Sequence, residues 1–228
     1  MAISDESDDW GSYLVNHHVF ENIFVGLQPV GQLRRRAWSG QVELALAYTR
    51  ETFPALGYLC DLLITNIVLL NSTSTGSASH LPGLVAISPG PNWGTYDFAE
   101  TIVHEITHLN LFILDMVNKL YQLPTEDLAR QENRVVSAVK IGELRPFDKA
   151  FHSAVVAVPL MYMQDARGDS ALVDAFAEPL KDCCQGLETE RDPFTPYGQT
   201  LLDELSEFAR TLDFGMVETN LTRDGLAA

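Results

Sequence analysis

Residues 95–121 read TYDFAETIVHEITHLNLFILDMVNKLY, and this stretch decides the fold. Apolar side chains recur in it at steps of three and four residues, the period of a helix buried along one face: Phe98, Ile102, Ile106, Leu109, Ile113, Met116, Val117 and Leu120. Thr95 or Asp97 can cap the start, and Pro124 follows the expected end. No Gly or Pro interrupts the run, so the sequence predicts one long helix.

The middle of this helix carries His104-Glu105-Ile106-Thr107-His108, an H-E-x-x-H pattern. Residues four apart project from the same side of a helix, so both imidazoles can bind one metal ion. Asp115 lies two turns beyond His108 on the same face, where it could accept a hydrogen bond from a ligand imidazole. The pattern therefore predicts a metal site on the helix, with His104 and His108 as ligands.

The composition restricts the class of partner. The chain has 15 basic and 31 acidic residues among 228, a net charge of -16, which argues against nucleic acid and anionic membranes. Arg34-Arg35-Arg36 is a local basic cluster, expected to be a solvated helix face or, as the alternative, a contact for an anionic peptide. Three cysteines, an acidic N-terminus and no long apolar segment predict a cytoplasmic protein without disulfides.

The rest of the chain predicts an α+β fold, mostly helical, in which a small β-sheet packs against the H-E-x-x-H helix. We expect one metal-binding domain over residues 1–228, without repeats or linkers. Strands are expected at residues 62–70 and 84–88, with a loop or irregular edge strand at 71–79. The expected helices are 42–59 with an interruption near Pro54, the first half of 128–139, 148–163, 171–187 with a break at Pro179, and 200–212.

A catalytic metal needs a third protein ligand besides two histidines. His152 is the preferred candidate, because it stands near the start of a helix after the unusual segment 142–147. Glu126 and His80 are weaker candidates. Asp115 ranks behind His152, because at 1.5 Å per residue it lies about 16 Å from His104 along the helix axis.

Two blocks of the chain resemble a known family. The first is His104-Glu-Ile-Thr-His108-Leu-Asn-Leu-Phe-Ile-Leu-Asp115, and the second runs from Ser137 through Arg145-Pro146 to His152. They are similar to the HExxH-type peptide β-hydroxylases of ribosomal peptide natural-product clusters, and the likeness extends from residue 81 to residue 163. Ala138-Val139-Lys140 stands where that family has Pro-Trp-Arg, and Lys140 keeps the positive charge.

The resemblance implies an Fe(II)- and 2-oxoglutarate-dependent oxygenase that uses O2 to hydroxylate the β-carbon of a residue in a ribosomally synthesised precursor peptide. Imidazoles suit ferrous iron as well as zinc. Arg145 could bind the distal carboxylate of 2-oxoglutarate in bidentate fashion, and Lys140 is the second choice. His104, His108 and His152 would hold the metal, with Glu105 beside them.

The alternative function is a zinc metallopeptidase with the same three histidines. Glu105 would then be the general base that takes a proton from water. The five residues of the motif are compatible with both functions. The block around Arg145 separates the two functions, because a peptidase does not require it. A binding protein without turnover is a third class, disfavoured because His104, Glu105 and His108 are all present.

Overall fold

The computed structural model describes residues 1–5, 12–13, 16–17, 30–72 and 75–223. Its helices are α1 (Gln32–Thr52), α2 (Pro54–Leu63), α3 (Thr95–Asn118), α4 (Thr125–Leu128), α5 (Phe147–Asp165), α6 (Ala171–Thr189), α7 (Pro196–Thr211) and α8 (Phe214–Arg223). The strands are β1 (Ala2–Asp5), β2 (Asn66–Leu69), β3 (Gly76–Ser77), β4 (Leu84–Ile87), β5 (Val135–Val136) and β6 (Leu144–Arg145). The predicted α+β class, mostly helical with a small sheet, is confirmed.

Residue contacts divide the chain into two compact units, 1–110 and 111–228, and the division falls within α3. The prediction of one domain over the whole chain stays a prediction. Within the described ranges, none of the helices combines the length and the apolar character that a membrane crossing requires.

The first unit contains a four-stranded mixed sheet in the order β1-β2-β4-β3. β1, β2 and β4 are parallel, and β3 pairs with β4 in antiparallel fashion, with Ser77 opposite Val85. Every residue of β4 is buried, as are the last three of β2, which explains why these strands read as continuous apolar runs. β3 lies at the edge opposite β1, and it contacts α3 through a hydrogen bond from Ser77 to Glu105.

The predicted H-E-x-x-H helix is confirmed and ends three residues earlier than expected. Lys119 adopts a left-handed backbone conformation with φ 54°, and Asp115 Oδ1 accepts a 2.7 Å hydrogen bond from the Leu120 N–H. At the start of α3, Asp97 Oδ2 accepts from the Gly94 N–H at 2.8 Å. Thr95 instead donates its hydroxyl to Gln41 Oε1 at 2.9 Å, so Asp97 is the side chain that accepts a backbone N–H at this end.

The second unit is organised around an aromatic cluster. The Phe194 ring lies 4.8 Å from that of Phe147, 5.0 Å from that of Phe151 and 5.6 Å from that of Tyr121, centroid to centroid. The Thr195 hydroxyl accepts the Gly198 N–H as an N-cap of α7 and donates to the Lys119 carbonyl at 2.7 Å. The chain segment after α3 is thereby tied to the start of α7.

Four sequence predictions are wrong in part. The first expected helix begins at Gln32, ten residues before the expected start. Residues 62–63 belong to α2 and not to a strand, because a short apolar run does not distinguish a buried strand from a buried helix. Residues 128–139 contain the end of α4, a 3₁₀ turn (Gln131–Asn133) and β5, so the expected helix is confined to Thr125–Leu128. α6 continues through Pro179 without a break. Its buried face packs between α5 and α7, and this tertiary packing outweighs the hydrogen bond that proline removes.

The close approach of the chain at Gly198 generates a stability prediction. A Cβ atom at this position would overlap the Leu120 carbonyl oxygen and lie 2.8 Å from Phe194 Cδ1. Gly198→Ala should therefore lower the free energy of unfolding by about 1–3 kcal/mol, the usual effect of overpacking. Gly40→Ala is the matched control, because a Cβ in the middle of α1 meets no atom within 4 Å and should stabilise by about 0.5–1 kcal/mol. Chemical denaturation measures both, and equal effects of the two changes would contradict the packing described.

Candidate metal site

The two motif histidines face each other on α3. Their Nε2 atoms are 3.2 Å apart, and the rings meet at 68° with centroids separated by 4.9 Å. Both residues are partly exposed, with 33% of the His104 side chain accessible. The prediction that one helical turn brings the two imidazoles together is confirmed.

This separation fits two ligands of one metal ion. Zinc–imidazole bonds of about 2.0–2.1 Å place two ligand nitrogens roughly 2.9 Å apart at a right angle and roughly 3.4 Å apart at a tetrahedral angle. The observed 3.2 Å lies between these values. Two nitrogens at this distance also fit a hydrogen bond between one protonated and one unprotonated Nε2. The pair therefore has the donor chemistry and the spacing of a metal site, and imidazole suits both zinc and iron.

The electrostatics of His104 favour the ligand form. Burial lowers the pKa of His104 to about 4, because desolvation disfavours the charged imidazolium. The ring is thus neutral at pH 7. A metal ligand must be unprotonated at the coordinating nitrogen, so His104 can bind a metal ion at pH 7 without a net loss of a proton.

Glu105 points into the structure and is held by the edge strand. It is 4% exposed, and its Oε2 accepts a 2.8 Å hydrogen bond from the Ser77 hydroxyl. Its Oε1 lies 3.9 Å from His104 Nε2. Burial raises the pKa of Glu105 to about 7, and the hydrogen bonds from the Ser77 side chain and backbone oppose that rise. Both protonation states of this carboxyl are therefore populated near neutral pH.

Asp115 has a different partner from the one expected. Its Oδ1 accepts the Leu120 N–H at 2.7 Å, so the side chain satisfies a backbone donor where α3 ends. This contact accounts for an acidic residue at the negative end of a helix dipole, a position that the dipole alone disfavours. Support of a ligand imidazole by Asp115 stays a prediction.

The third ligand stays a prediction as well. His152 is 4% exposed on α5, and its ring lies 5.1 Å from that of Phe112, centroid to centroid. It belongs to the second unit, whereas His104 and His108 belong to the first. Glu126, in α4, and His80, in the turn between β3 and β4, are both exposed. Across the described part of the chain, no three His, Cys, Asp or Glu side chains form a group that could hold a metal ion.

The predicted 2-oxoglutarate residues lie on a short hairpin of the second unit. β5 pairs with β6, with Val135 opposite Arg145. Arg145 is half-buried, and its Nη1 lies 3.4 Å from Glu143 Oε2 in a partly exposed ion pair. This pair occupies one of the five N–H donors of the guanidinium. Lys140 is exposed in the turn of the hairpin.

The hairpin is fixed to α5 by Ser153, which the sequence did not single out. The Ala138 N–H donates to Ser153 Oγ at 3.0 Å, and the Ser153 hydroxyl donates to the Ala150 carbonyl at 2.7 Å. Ser137 Oγ accepts the Lys140 N–H at 3.0 Å. Ser137 therefore shapes the turn that carries Lys140, which gives the first residue of the second family-like block a structural role.

Sequence reasoning also missed Ser77, the residue that holds Glu105. The only signal for it is indirect: a glutamate buried on an apolar helix requires a hydrogen-bond donor from a neighbouring element. The segment 71–79 is rich in Ser, Thr and Gly, so it offers several donors and does not indicate which one is used.

Comparison with models of known protein families gives no match to this chain, and comparison with curated proteins gives none either.

The facing imidazoles generate a metal-binding prediction. His104→Ala and His108→Ala should each reduce Co(II) affinity at least about a hundredfold, because each removes one of the few ligands that a three-ligand site has. Isothermal titration and the visible spectrum of the Co(II)-loaded protein measure this. His17→Ala, which changes an exposed histidine of the same unit, is the control and should bind like the parent. Unchanged affinity in both motif variants would contradict the site.

Proposed function

We propose that this protein is an Fe(II)- and 2-oxoglutarate-dependent oxygenase that hydroxylates the β-carbon of a residue in a ribosomally synthesised peptide. His104 and His108 would hold the iron, and His152 is proposed as the third ligand. A bound iron would activate O2, with two of the four electrons for its reduction supplied by oxidation of 2-oxoglutarate to succinate and CO2 and the other two by the C–H bond that is hydroxylated. The protein's own residues bind the metal, orient the cosubstrate and hold the peptide.

The hydrogen bond between Ser77 and Glu105 is the observation that supports this proposal over hydrolysis. A hydrolytic glutamate has to reach a water molecule and accept its proton. Here Oε2 already accepts the Ser77 hydroxyl, and the residue is 4% exposed. Glu105 thus joins α3 to the edge of the sheet, a structural role that requires no proton transfer.

Arg145 is the proposed partner of the 2-oxoglutarate distal carboxylate. Its planar guanidinium can donate two parallel hydrogen bonds to a carboxylate. The exposed ion pair with Glu143 is weak, because solvent screens it. A carboxylate ligand can therefore compete with Glu143 for the guanidinium. Lys140 would add a second positive charge from the same hairpin.

The proposed peptide partner is consistent with the charge of the chain, since a net charge of -16 disfavours nucleic acid.

We propose that the reaction takes place in the cytoplasm. Three free thiols, Cys60, Cys183 and Cys184, support this compartment, because cysteines remain reduced there. Each thiol is buried, and burial raises the pKa of each to about 12, so none is an activated nucleophile.

A zinc metallopeptidase is the second candidate, and one observation favours it. The pKa of Glu105, about 7, suits a general base at neutral pH. Its Oε1 also lies near His104 Nε2. In this case Glu105 would take the proton from the water that attacks the peptide carbonyl, and the Ser77 hydrogen bond would only orient the carboxylate.

Substitution of Glu105 separates the two candidates. The purified protein is incubated with Fe(II), 2-oxoglutarate, ascorbate and the candidate peptide encoded beside its gene, and mass spectrometry and succinate release are followed. For the oxygenase, the peptide gains the mass of one oxygen, and Glu105→Gln keeps activity within about tenfold, because the amide can still accept the Ser77 hydrogen bond. For the peptidase, zinc-dependent cleavage falls by about 10²–10⁴ in the same variant. Glu178→Gln, on the exposed face of α6, is the control for both reactions and should leave each rate unchanged.

Substitution of Arg145 tests the cosubstrate site. Arg145→Gln should raise the KM for 2-oxoglutarate about tenfold or more, because a charge-assisted bidentate contact is lost. Glu143→Gln is the matched control: it removes the competing carboxylate and should leave this KM unchanged or lower it. A KM that is insensitive to Arg145 would remove this residue from the proposal without affecting the metal site.

A further inference from the structure

Helix α1 is apolar on two opposite faces. Val42, Ala45, Leu46 and Thr49 form its buried face. The other side of the helix carries Leu33, Ala37, Gly40 and Leu44, which we call the outer stripe. Nine residues, or two and a half turns, separate Leu33 from Val42, so the two residues lie on opposite sides. Leu33 is 85% exposed and Leu44 is 55% exposed. A helix with apolar residues on its solvent side as well as its core side indicates a further packing partner.

The centre of the outer stripe permits close approach of another helix. Ala37 is exposed, and a Cβ added at Gly40 would meet no atom within 4 Å. Small residues at the centre with leucines at both ends form a shallow groove between two projecting side chains. Such a surface fits a helix that presents the same alternation of large and small residues.

Charged side chains on one flank of the stripe are also complementary. Arg36 and Glu43 are seven residues apart, so they lie on the same side of the helix two turns from each other. Both are exposed. Among the described residues neither has an ion-pair partner. One flank thus carries a positive charge near one end of the stripe and a negative charge near the other.

We propose that the outer stripe is the interface of a homodimer in which two copies of α1 pack antiparallel about a two-fold axis. If Ala37 faces the partner's Gly40, then Leu33 faces the partner's Leu44. In an antiparallel two-fold pair the same flanks meet. Arg36 then lies about two residues, or roughly 3 Å along the axis, from the partner's Glu43. Both long side chains span that offset, and the symmetry forms the ion pair twice.

A second copy fits this surface better than an acidic peptide does. An acidic peptide along the same flank would meet Arg36 but would be repelled by Glu43, whereas a second copy satisfies both charges. One helix pair buries less than the roughly 1,200 Å² of a stable interface. The dimer is therefore weak, with a dissociation constant in the micromolar range, and its formation depends on concentration.

Sedimentation equilibrium of the full chain, over a wide range of micromolar concentrations, tests the proposal. Leu44→Asp should leave only monomer. Arg36→Glu and Glu43→Arg should each weaken the dimer about tenfold, because each replaces two attractive pairs by two repulsive ones. The double variant Arg36→Glu/Glu43→Arg restores the pairs in reverse and should recover the parent dissociation constant within about twofold.

Leu62→Asp, on the exposed side of α2 with Leu62 60% exposed, is the control and should dimerise like the parent. Circular dichroism confirms that each variant is folded, which is expected because every changed residue is exposed. A parent that stays monomeric at all concentrations, or a dimer that Leu44→Asp does not disrupt, would overturn the proposal. A double variant that fails to recover would overturn the antiparallel register, and with it the homodimer proposed. Binding of a poly-glutamate peptide that competes with self-association and is lost in Arg36→Glu would indicate the acidic-peptide contact instead.

Discussion

The spacing of one helical turn between His104 and His108 is the constraint on which the candidate site depends. It brings two Nε2 atoms to 3.2 Å, a separation that suits ligands of one metal ion. α3 is held to the sheet at the same turn of the helix. Glu105, between the two histidines in sequence, is fixed to β3 through the Ser77 hydroxyl. An edge strand of two residues therefore anchors the buried side of the same helical turn that carries the imidazoles.

Polar residues on an apolar helix cost free energy unless each has a partner, and α3 satisfies this requirement residue by residue. Glu105 accepts from Ser77, Asp97 accepts from a backbone N–H at the start of the helix, and Asp115 accepts from one at its end. His104 is kept neutral by its surroundings, because burial lowers its pKa to about 4. These three carboxylates therefore all have hydrogen-bond donors within the fold, while the two imidazoles of the motif remain partly exposed. In the second unit the polar side chain of Ser153 also stabilises the fold, because it accepts a hydrogen bond from the hairpin on which Arg145 lies.

Periodicity and motif spacing predicted the parts of the molecule that depend on local chemistry. The helical period predicts α3 with its end correct to within three residues, and the apolar run 84–88 predicts β4. The imidazole pair follows from the i, i+4 relation alone. The hairpin at residues 135–145 was missed, because strands of two residues leave no periodic signal. Pro179 was misread, because packing decides whether a helix continues past a proline. Ser77 could not be found, since its contact with Glu105 joins residues 28 positions apart.

We propose that His104, His108 and His152 each contribute an imidazole to one iron ion. X-ray absorption spectroscopy of the Fe(II)-loaded protein tests it most directly, because the multiple-scattering pattern of imidazole rings gives their number around the metal. We expect three rings in the parent protein and two in His152→Ala, with the remaining ligands being oxygen. Two rings in both proteins would contradict the claim, because His152 would then have no part in the metal centre.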